Sequence, residues 1–522
     1  MLHAVNHFAK PLRMLSASLA LSVFTASAQA PADIRIALVI GNAAYAGNAA
    51  LANPANDARA MGETLKQLGF NVVEVRDGSK AQMTDAVAKV RDTLKGKQGI
   101  GMLYYAGHGL QLDWRNYMVP VDAKLGKASD VAEQTVDLNS VIDAFKLAGN
   151  RMNIVVLDAC RDNPFAGSAA SGKGLAQLDA PPGTFLAYAT APGNVAEDGD
   201  AKSGNGLYTQ YLLEELKKPT AKIEDVFKRV RLNVRKQSQG RQVPWESTSL
   251  EDDFVFNDGT RSPTPGDPAA RMPKVQDRQA AERQFQMEKT EWDKIKDGTD
   301  LDVVFTFLQK YPSGFLSETA QFRLDQLQAI RVTAQPGKDG VTPLPSGVRR
   351  WHLGDQVSFE TTDGLTRIKE RETRQVASLL GDKVIFADGE NVLDQMGGVL
   401  KSKSGIFSPA ILTAPADLAL GKKWRSAFQQ TTSSGLSGFT YLDYAVVALE
   451  DVQLMGRGVK VFRVSGRGFF NINGGGSLQL EQSLWIDPST MRVVRTDRLY
   501  RGNGRIFENS STLMVDSVSA KR

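Results

Sequence analysis

Residues 100–109 read Ile-Gly-Met-Leu-Tyr-Tyr-Ala-Gly-His-Gly, an apolar run that ends on His108 between two glycines. Residues 154–162 repeat the design as Ile-Val-Val-Leu-Asp-Ala-Cys-Arg-Asp, with Cys160 the single cysteine of the chain. Each stretch reads as a buried strand that delivers a polar residue at its carboxyl end. In open α/β sheets, ligand sites collect just beyond the carboxyl ends of the strands, so a thiol and an imidazole delivered there can meet. A nucleophile beside a proton acceptor is the chemistry of a thiol hydrolase.

Working outward, the text from Ile34 to about Phe256 alternates apolar runs with amphipathic stretches, the βαβ pattern of a mostly parallel sheet covered by helices on both faces. Strands are expected at 34–40, 72–75, 100–105, 154–157 and 184–189, and helices at 57–68, 83–94, 138–147, 206–216 and 223–237. The fold class is thus α/β, a three-layer α/β/α sandwich. Residues 258–271 are rich in Pro, Gly, Ser and Thr and read as a linker. Residues 272–333 are highly charged with apolar residues at helical spacing, such as Val304, Phe305, Phe307 and Leu308. They predict a small helical module, one antiparallel pair around Tyr311-Pro312-Ser313-Gly314. A second Pro/Gly-rich linker covers 334–347, and 348–522 alternates as in an antiparallel β domain of short strands.

Composition bounds the rest. Lys10 and Arg13 precede an apolar stretch from Met14 to Thr25 and a small-residue run, Ala26-Ser27-Ala28-Gln29-Ala30. Residues 1–30 therefore read as a cleaved secretory signal, and the mature protein is expected to be exported, periplasmic or secreted, with no integral membrane segment after removal. A lone thiol in such a compartment forms no internal disulfide and is either inert or reactive. The net charge of +5 loses two units with the signal and is spread along the chain, so no nucleic-acid partner is implied. The length of 522 residues suits about three units at ~150 residues each.

Peptide hydrolysis needs a nucleophile, a proton shuttle and donors for the developing oxyanion. Cys160 can attack as thiolate, and His108 can take its proton and pass it to the leaving amine. Backbone N–H groups of Gly109 and Cys160 suit the oxyanion, a glycine after the histidine allowing the close approach or unusual dihedrals of such a corner. No third residue that orients the imidazole is evident.

The ~50-residue separation of His108 from Cys160 matches that of caspases. Residues 34 to about 256 resemble the caspase-like peptidase family, and Tyr-Tyr-Ala-Gly-His-Gly with Leu-Asp-Ala-Cys-Arg is similar to its paracaspase and bacterial members. The chain departs from animal caspases, which carry Gln-Ala-Cys-Arg-Gly where this one has Asp158-Ala159-Cys160-Arg161-Asp162. The resemblance implies a substrate pocket lined by carboxylates, matching Asp57, Asp158 and Asp198, and cleavage after Arg, also Lys, rather than after Asp. A carboxylate cluster favours guanidinium or ammonium through charge-assisted bonds and repels an acidic side chain. No cofactor or metal is implied, since no calcium-ligand spacing is visible. Partners are peptide or protein substrates; a homodimer is left open. Processing after Lys173 or Lys202, in the loops around the nucleophile, is a further expectation from the family.

Each residue also has a plainer reading. A lone buried cysteine is most often an inert small hydrophobe, and a histidine a satisfied core residue. Asp57 can simply favour the positive end of the helix that follows it, and Asp198, with Glu197 beside it, can be solvated. Asp158, after four apolar residues, needs a partner. Tyr104 and Tyr105 read as strand packing, His352 as structural and the glycines at 474–476 as a turn. The main alternative is a caspase-like binding scaffold with latent or negligible turnover. A glutamine amidotransferase or other thiol hydrolase would act on small amides instead.

Overall fold

The computed structural model describes residues 34–112, 115–160, 175, 178, 180, 181–190, 204–250, 252–258, 275–331, 351–415, 418, 420–502 and 505–519. The first unit runs β1 (Arg35–Gly41), α1 (Pro54–Gln67), β2 (Asn71–Arg76), α2 (Lys80–Leu94), β3 (Ile100–Leu112), β4 (Arg115–Met118), α3 (Ala128–Gln134), β5 (Val136–Asp137), α4 (Leu138–Leu147), β6 (Met152–Cys160), β7 (Thr184–Tyr188), α5 (Leu207–Leu216), α6 (Ile223–Gln237) and β8 (Trp245–Thr248). Local chemistry starts the helices: Pro54 occupies the first turn of α1, where its missing N–H costs nothing, and Ser79 with Gln82 forms a capping box on α2.

The sheet order is β2-β1-β3-β6-β7-β8, parallel except for β8, which runs antiparallel to β7; β4 and β5 form an antiparallel extension of β3. Even-numbered residues of β3 and β6, such as Tyr104, Ile154 and Val156, pack with α1, α5 and α6 residues Met61, Leu212 and Val230. Odd-numbered ones, such as Leu103, Val155 and Leu157, pack with Val90 of α2 and Phe145 of α4. This is the expected three-layer sandwich. The direction of the strand order reverses between β1 and β3, the crevice where such sheets hold their sites.

Downstream lie α7 (Val275–Ile295), α8 (Leu301–Lys310) and α9 (Ser317–Arg331). Among the described residues the module thus holds three helices rather than one antiparallel pair; the turn at Tyr311–Gly314 separates the second from the third. Then come β9 (Gln356–Asp363), β10 (Lys369–Leu380), β11 (Lys383–Phe386), β12 (Val392–Asp394), β13 (Val399–Ser402), β14 (Gly405–Ile411), β15 (Lys423–Thr432), β16 (Ser437–Leu454), β17 (Arg457–Ile472), β18 (Ser477–Asp487), β19 (Arg492–Gly502) and β20 (Arg505–Val518). Their strands are not all short, for β16 has 18 residues, and β20 pairs back onto β9 to close a twelve-stranded antiparallel barrel. Closure leaves the barrel without an edge strand to manage. Among the described residues no helix is long and apolar enough to cross a membrane.

The helical module is wedged between the sheet domain and the barrel. Phe285 lies tilted against barrel residue Phe439 and Phe315 edge-on to Tyr441, while Leu232 of α6 joins the same cluster. Arg235 of α6 pairs with Asp325 of α9, and Lys422 with Glu318 at 3.2 Å, both pairs being largely removed from solvent. Such pairs fix orientation more than they add stability. The barrel segment 420–423 covers edge strand β8: Ser247 Oγ donates to Leu420 O, and Lys423 Nζ donates to Leu250 O. Gly421 has φ +79°, and a Cβ on it would stand 1.7 Å from Thr248 O. Gly421→Ala is therefore expected to destabilise the docked chain by roughly 1–3 kcal/mol and to speed proteolytic separation of the two halves severalfold. Unchanged melting and digestion would contradict this seam.

Candidate active site

The site grows from the carboxyl ends of β1, β3 and β6. In the register of β3 against β6, Ala106 stands beside Asp158, Gly107 beside Ala159 and His108 beside Cys160. The two residues singled out in the sequence are thus neighbours across one strand pair. They do not lie beyond the strands, as the shorter expected runs implied; β3 continues through His108 to Leu112 and β6 reaches Cys160. The Cys160 side chain lies outside the described residues, as do Asp198, Lys173 and Lys202.

His108 is 4% exposed, with its ring tilted against that of Tyr45 at 4.5 Å between centroids. Its Nε2 lies 2.7 Å from Ala49 O. A carbonyl only accepts, so Nε2 carries the proton and Nδ1 the basic lone pair. Burial pushes the imidazole below its ordinary value, the Ala49 carbonyl opposing that shift. A neutral imidazole fixed in one tautomer is what a proton acceptor requires.

The loop that supplies Tyr45 and Ala49 is itself held. Buried Asn42 donates through Nδ2 to Val119 O at 2.9 Å and accepts at Oδ1 from Gly78 N at 3.0 Å. Asp77 Oδ1 accepts from the N–H groups of Ala43 and Ala44, at 2.7 and 2.8 Å. Two phenols then grip the His108 backbone: Tyr45 OH accepts from His108 N at 3.1 Å, and Tyr105 OH donates to His108 O at 2.7 Å. Between them stands Gly107, with φ +152° and room for no Cβ, since both hydroxyls would lie 2.8 Å from one. The unusual dihedral expected after the histidine falls before it. Gly109 has an ordinary φ and pairs with Met118; its missing Cβ makes space, because Leu175 Cδ2 would lie 2.8 Å away. Gly107→Ala is expected to cost about 1 kcal/mol or more through backbone conformation and crowding, and to lower kcat more than it raises KM. Thermal melts with steady-state kinetics check both; wild-type kcat would contradict the role.

A second group of side chains sits two register positions back. Asp57, 3% exposed, lies in the first turn of α1, where the dipole favours a carboxylate, and its Oδ1 accepts from Gly206 N at 3.0 Å. The helix reading of Asp57 fits this place, and the same carboxylate also faces the start of the element that follows Gly206. Asp158 finds its partner in Thr209, whose Oγ1 donates to Asp158 Oδ2 at 2.6 Å, and Tyr104 OH hydrogen-bonds the same Thr209 hydroxyl. A Cβ on Gly206 would stand 3.4 Å from Asp57 Oδ2 and 3.6 Å from Asp158 Oδ2, so the two carboxylates flank one small space. Desolvation pushes the Asp158 carboxyl up to about 6, with the Thr209 bonds opposing. Among the described residues no group of three or more His, Cys, Asp or Glu side chains converges as a metal site.

Comparison with known proteins agrees with this geometry. Residues 34–255 match the model of the caspase domain, the Peptidase_C14 family. This segment is a caspase domain. Over 197 residues it is 30% identical to mucosa-associated lymphoid tissue lymphoma translocation protein 1 of Homo sapiens and to the Mus musculus homolog of that protein, the alignments covering 37% of this chain. They cover 23% of either relative, so the chain spans about a quarter of the proteins it resembles. The family is one of cysteine peptidases, which agrees with the residue types and register above.

Several parts of this caspase domain escape a reading by residue type. The acceptor that orients His108 is a main-chain oxygen, Ala49 O, on a loop with no distinctive side chain. Tyr104 and Tyr105, read as strand packing, are buried as expected, but their hydroxyls position Thr209 and His108. Thr209 and Gly206, at the start of α5, read only as part of a helical pattern. A buried phenol needs a polar partner, and that requirement was the available signal for the tyrosines. His352, read as structural, lies 3.6 Å from Asp355 Oδ2 and has no part in this site.

Proposed function

We propose that the protein is an exported cysteine endopeptidase that cleaves after Arg, and also after Lys. The observation that carries this reading is the pair of carboxylates, Asp57 and Asp158, flanking the space beside Gly206, with Asp158 two register positions from the His108–Cys160 pair. A cationic side chain entering that space meets two acceptors, and an acidic one meets repulsion in a poorly solvated place. Asp198 completes the acidic lining in this proposal.

In the reaction, His108 Nδ1 takes the proton of the Cys160 thiol, and the thiolate attacks the carbonyl carbon of the scissile bond. The oxyanion is received by the backbone N–H groups of Gly109 and Cys160. His108 returns its proton to the nitrogen as the C–N bond breaks, and the amine leaves. Water, deprotonated by His108, then hydrolyses the thioester and frees the acid. The Ala49 carbonyl holds the imidazole through both half-reactions and favours its cationic form in between.

A panel of fluorogenic peptides matched except for Arg, Lys, Asp or Gln before the reporter tests the reading. Turnover is expected in the order Arg, then Lys, with Asp and Gln far behind. Faster cleavage after Asp than after Arg would overturn it. Export is tested separately by mass spectrometry of the protein recovered from the cell envelope or medium. A mature amino terminus near residue 31 is expected, and an intact leader on protein in the cytosol would refute it.

A further inference from the structure

The turn from β9 to β10 (364–368), the end of β19 and the start of β20 lie at the same end of the barrel, because β20 pairs antiparallel with β9, Ser510 opposite Asp363. Gly364 N donates to Asn509 O at 2.7 Å and ties the turn to the start of β20. Four large apolar side chains here are exposed, two on the β9–β10 turn and two at the start of β20: Leu365 at 62% exposure, Ile368 at 61%, Phe507 at 61% and Ile506 at 45%. Single exposed apolar residues are ordinary, but four gathered at one end of the barrel form a patch that calls for an occupant.

The patch is built rather than loose. Asp363 Oδ1 accepts from Leu365 N, Thr366 N and the Thr366 hydroxyl, at 2.9, 2.7 and 2.9 Å, bonds that hold its carboxyl below the ordinary range. Phe507 is the extra residue of a bulge, since Tyr500 pairs with Glu508 and Arg501 with Ile506.

Its surroundings carry several guanidinium groups, with Glu370 exposed beside them and Glu508 at 3.7 Å from Arg498. Arg367 on the β9–β10 turn, Arg501 at the end of β19 and Arg505 at the start of β20 are exposed, and among the described residues none of them makes an ion pair with a carboxylate; Lys369 pairs with Glu360 at 2.8 Å. Behind them opens a cavity of about 420 Å³ whose lining includes Arg367, Arg467 and Arg498 against Glu481 and Asp497. Asp497 is already engaged, by Arg495 at 2.8 Å and by the Ser511 hydroxyl at 2.6 Å. The excess of guanidinium groups beside apolar side chains is the composition of a surface that meets anionic headgroups while its tips enter the interface.

We propose that this end of the barrel docks the protein on an anionic lipid bilayer, with Leu365, Ile368, Ile506 and Phe507 entering the headgroup–acyl boundary and Arg367, Arg501 and Arg505 at phosphate level. The cavity behind receives a phosphate headgroup. The docked protein keeps the peptidase domain in the aqueous phase, held to the barrel through the seam at β8.

Co-sedimentation of the full chain with phosphatidylcholine vesicles, with and without phosphatidylglycerol, tests this. Binding is expected only to the anionic vesicles, weakening at high salt. The triple variant Arg367→Glu, Arg501→Glu and Arg505→Glu is expected to lower partitioning roughly tenfold or more, and Leu365→Asp with Phe507→Asp to abolish it. Unchanged circular dichroism and melting temperature of either variant show that the fold persists, and the two variants act on different parts of the patch. No binding to anionic vesicles, equal binding to both kinds, or retention by both variants would overturn the proposal; a surface that instead captures a protein partner gives the first of these results.

Discussion

Cys160→Ala is expected to bring cleavage of arginyl peptides down to background, a loss of roughly a thousandfold or more, with the melting temperature nearly unchanged. Alanine keeps the β-carbon and removes the one atom able to form a thioester. His108→Ala is expected to lose about 10² to 10⁴ in kcat, because the thiol then has no acceptor and the leaving amine no donor. The double variant should be no worse than the poorer single one, since the two groups act as a unit. His108→Ala has a second, separable cost: it empties a buried place against Tyr45 and leaves the Ala49 carbonyl without its donor, so it should also lower stability. Stopped assays beside thermal melts separate the chemical loss from the structural one. Residual turnover in Cys160→Ala near the wild-type rate would exclude this thiol as nucleophile.

Asp158→Asn is expected to lower kcat/KM for arginyl peptides by about a hundredfold, chiefly through KM, while the protein becomes more stable at pH 8. The first effect follows from removing a charge that a buried guanidinium would need. The second follows from the sign of the titration. The folded carboxyl titrates at about 6, above its ordinary value of 3.8, so the native state binds its proton more tightly than the unfolded chain does. Ionisation therefore opposes folding, with no cost below the unfolded value and the full cost above about 6. Asparagine removes that cost at pH 8 and gains nothing near pH 3; it still accepts from Thr209. A rise of a few degrees in melting temperature is expected at the higher pH alone. In the parent protein, kcat/KM for arginyl peptides is expected to fall as pH drops through about 6, where Asp158 takes up its proton, and in Asp158→Asn that acid limb is expected to move lower. Asp57→Asn behaves differently: it weakens arginine binding but also weakens the start of α1, by roughly 0.3–1 kcal/mol, because it removes a charge from the positive end of the dipole. Lost affinity with gained stability is the mark of a carboxylate kept for binding. Equal kinetics of Asp158→Asn and parent on arginyl peptides would remove Asp158 from the pocket.

The sandwich was legible because its strands are buried on both faces and so appear as uninterrupted apolar runs, from Ile36–Ile40 to Ile154–Leu157. The pairing of His108 with Cys160 was legible because both runs end on residues that no core needs. What surrounds them was not. Ala49 acts through a backbone oxygen, Gly206 through what it lacks, and Thr209 through a hydroxyl that any helix tolerates. The barrel strands showed in their alternation, but its closure depends on β9 meeting β20, residues such as Thr361 and Thr512 that are far apart in the chain and leave no local trace. The seam was hidden for the same reason, since Gly421 matters only once Thr248 lies against it.

The most direct measurement is covalent labelling of the purified full chain with an arginyl chloromethylketone, read by mass spectrometry of the digested protein. A single adduct on Cys160 is predicted, formed much faster than with the aspartyl reagent, slowed in His108→Ala and absent in Cys160→Ala. An unlabelled Cys160, or one labelled faster by the aspartyl reagent, would contradict a thiol activated by His108 beside an acidic pocket.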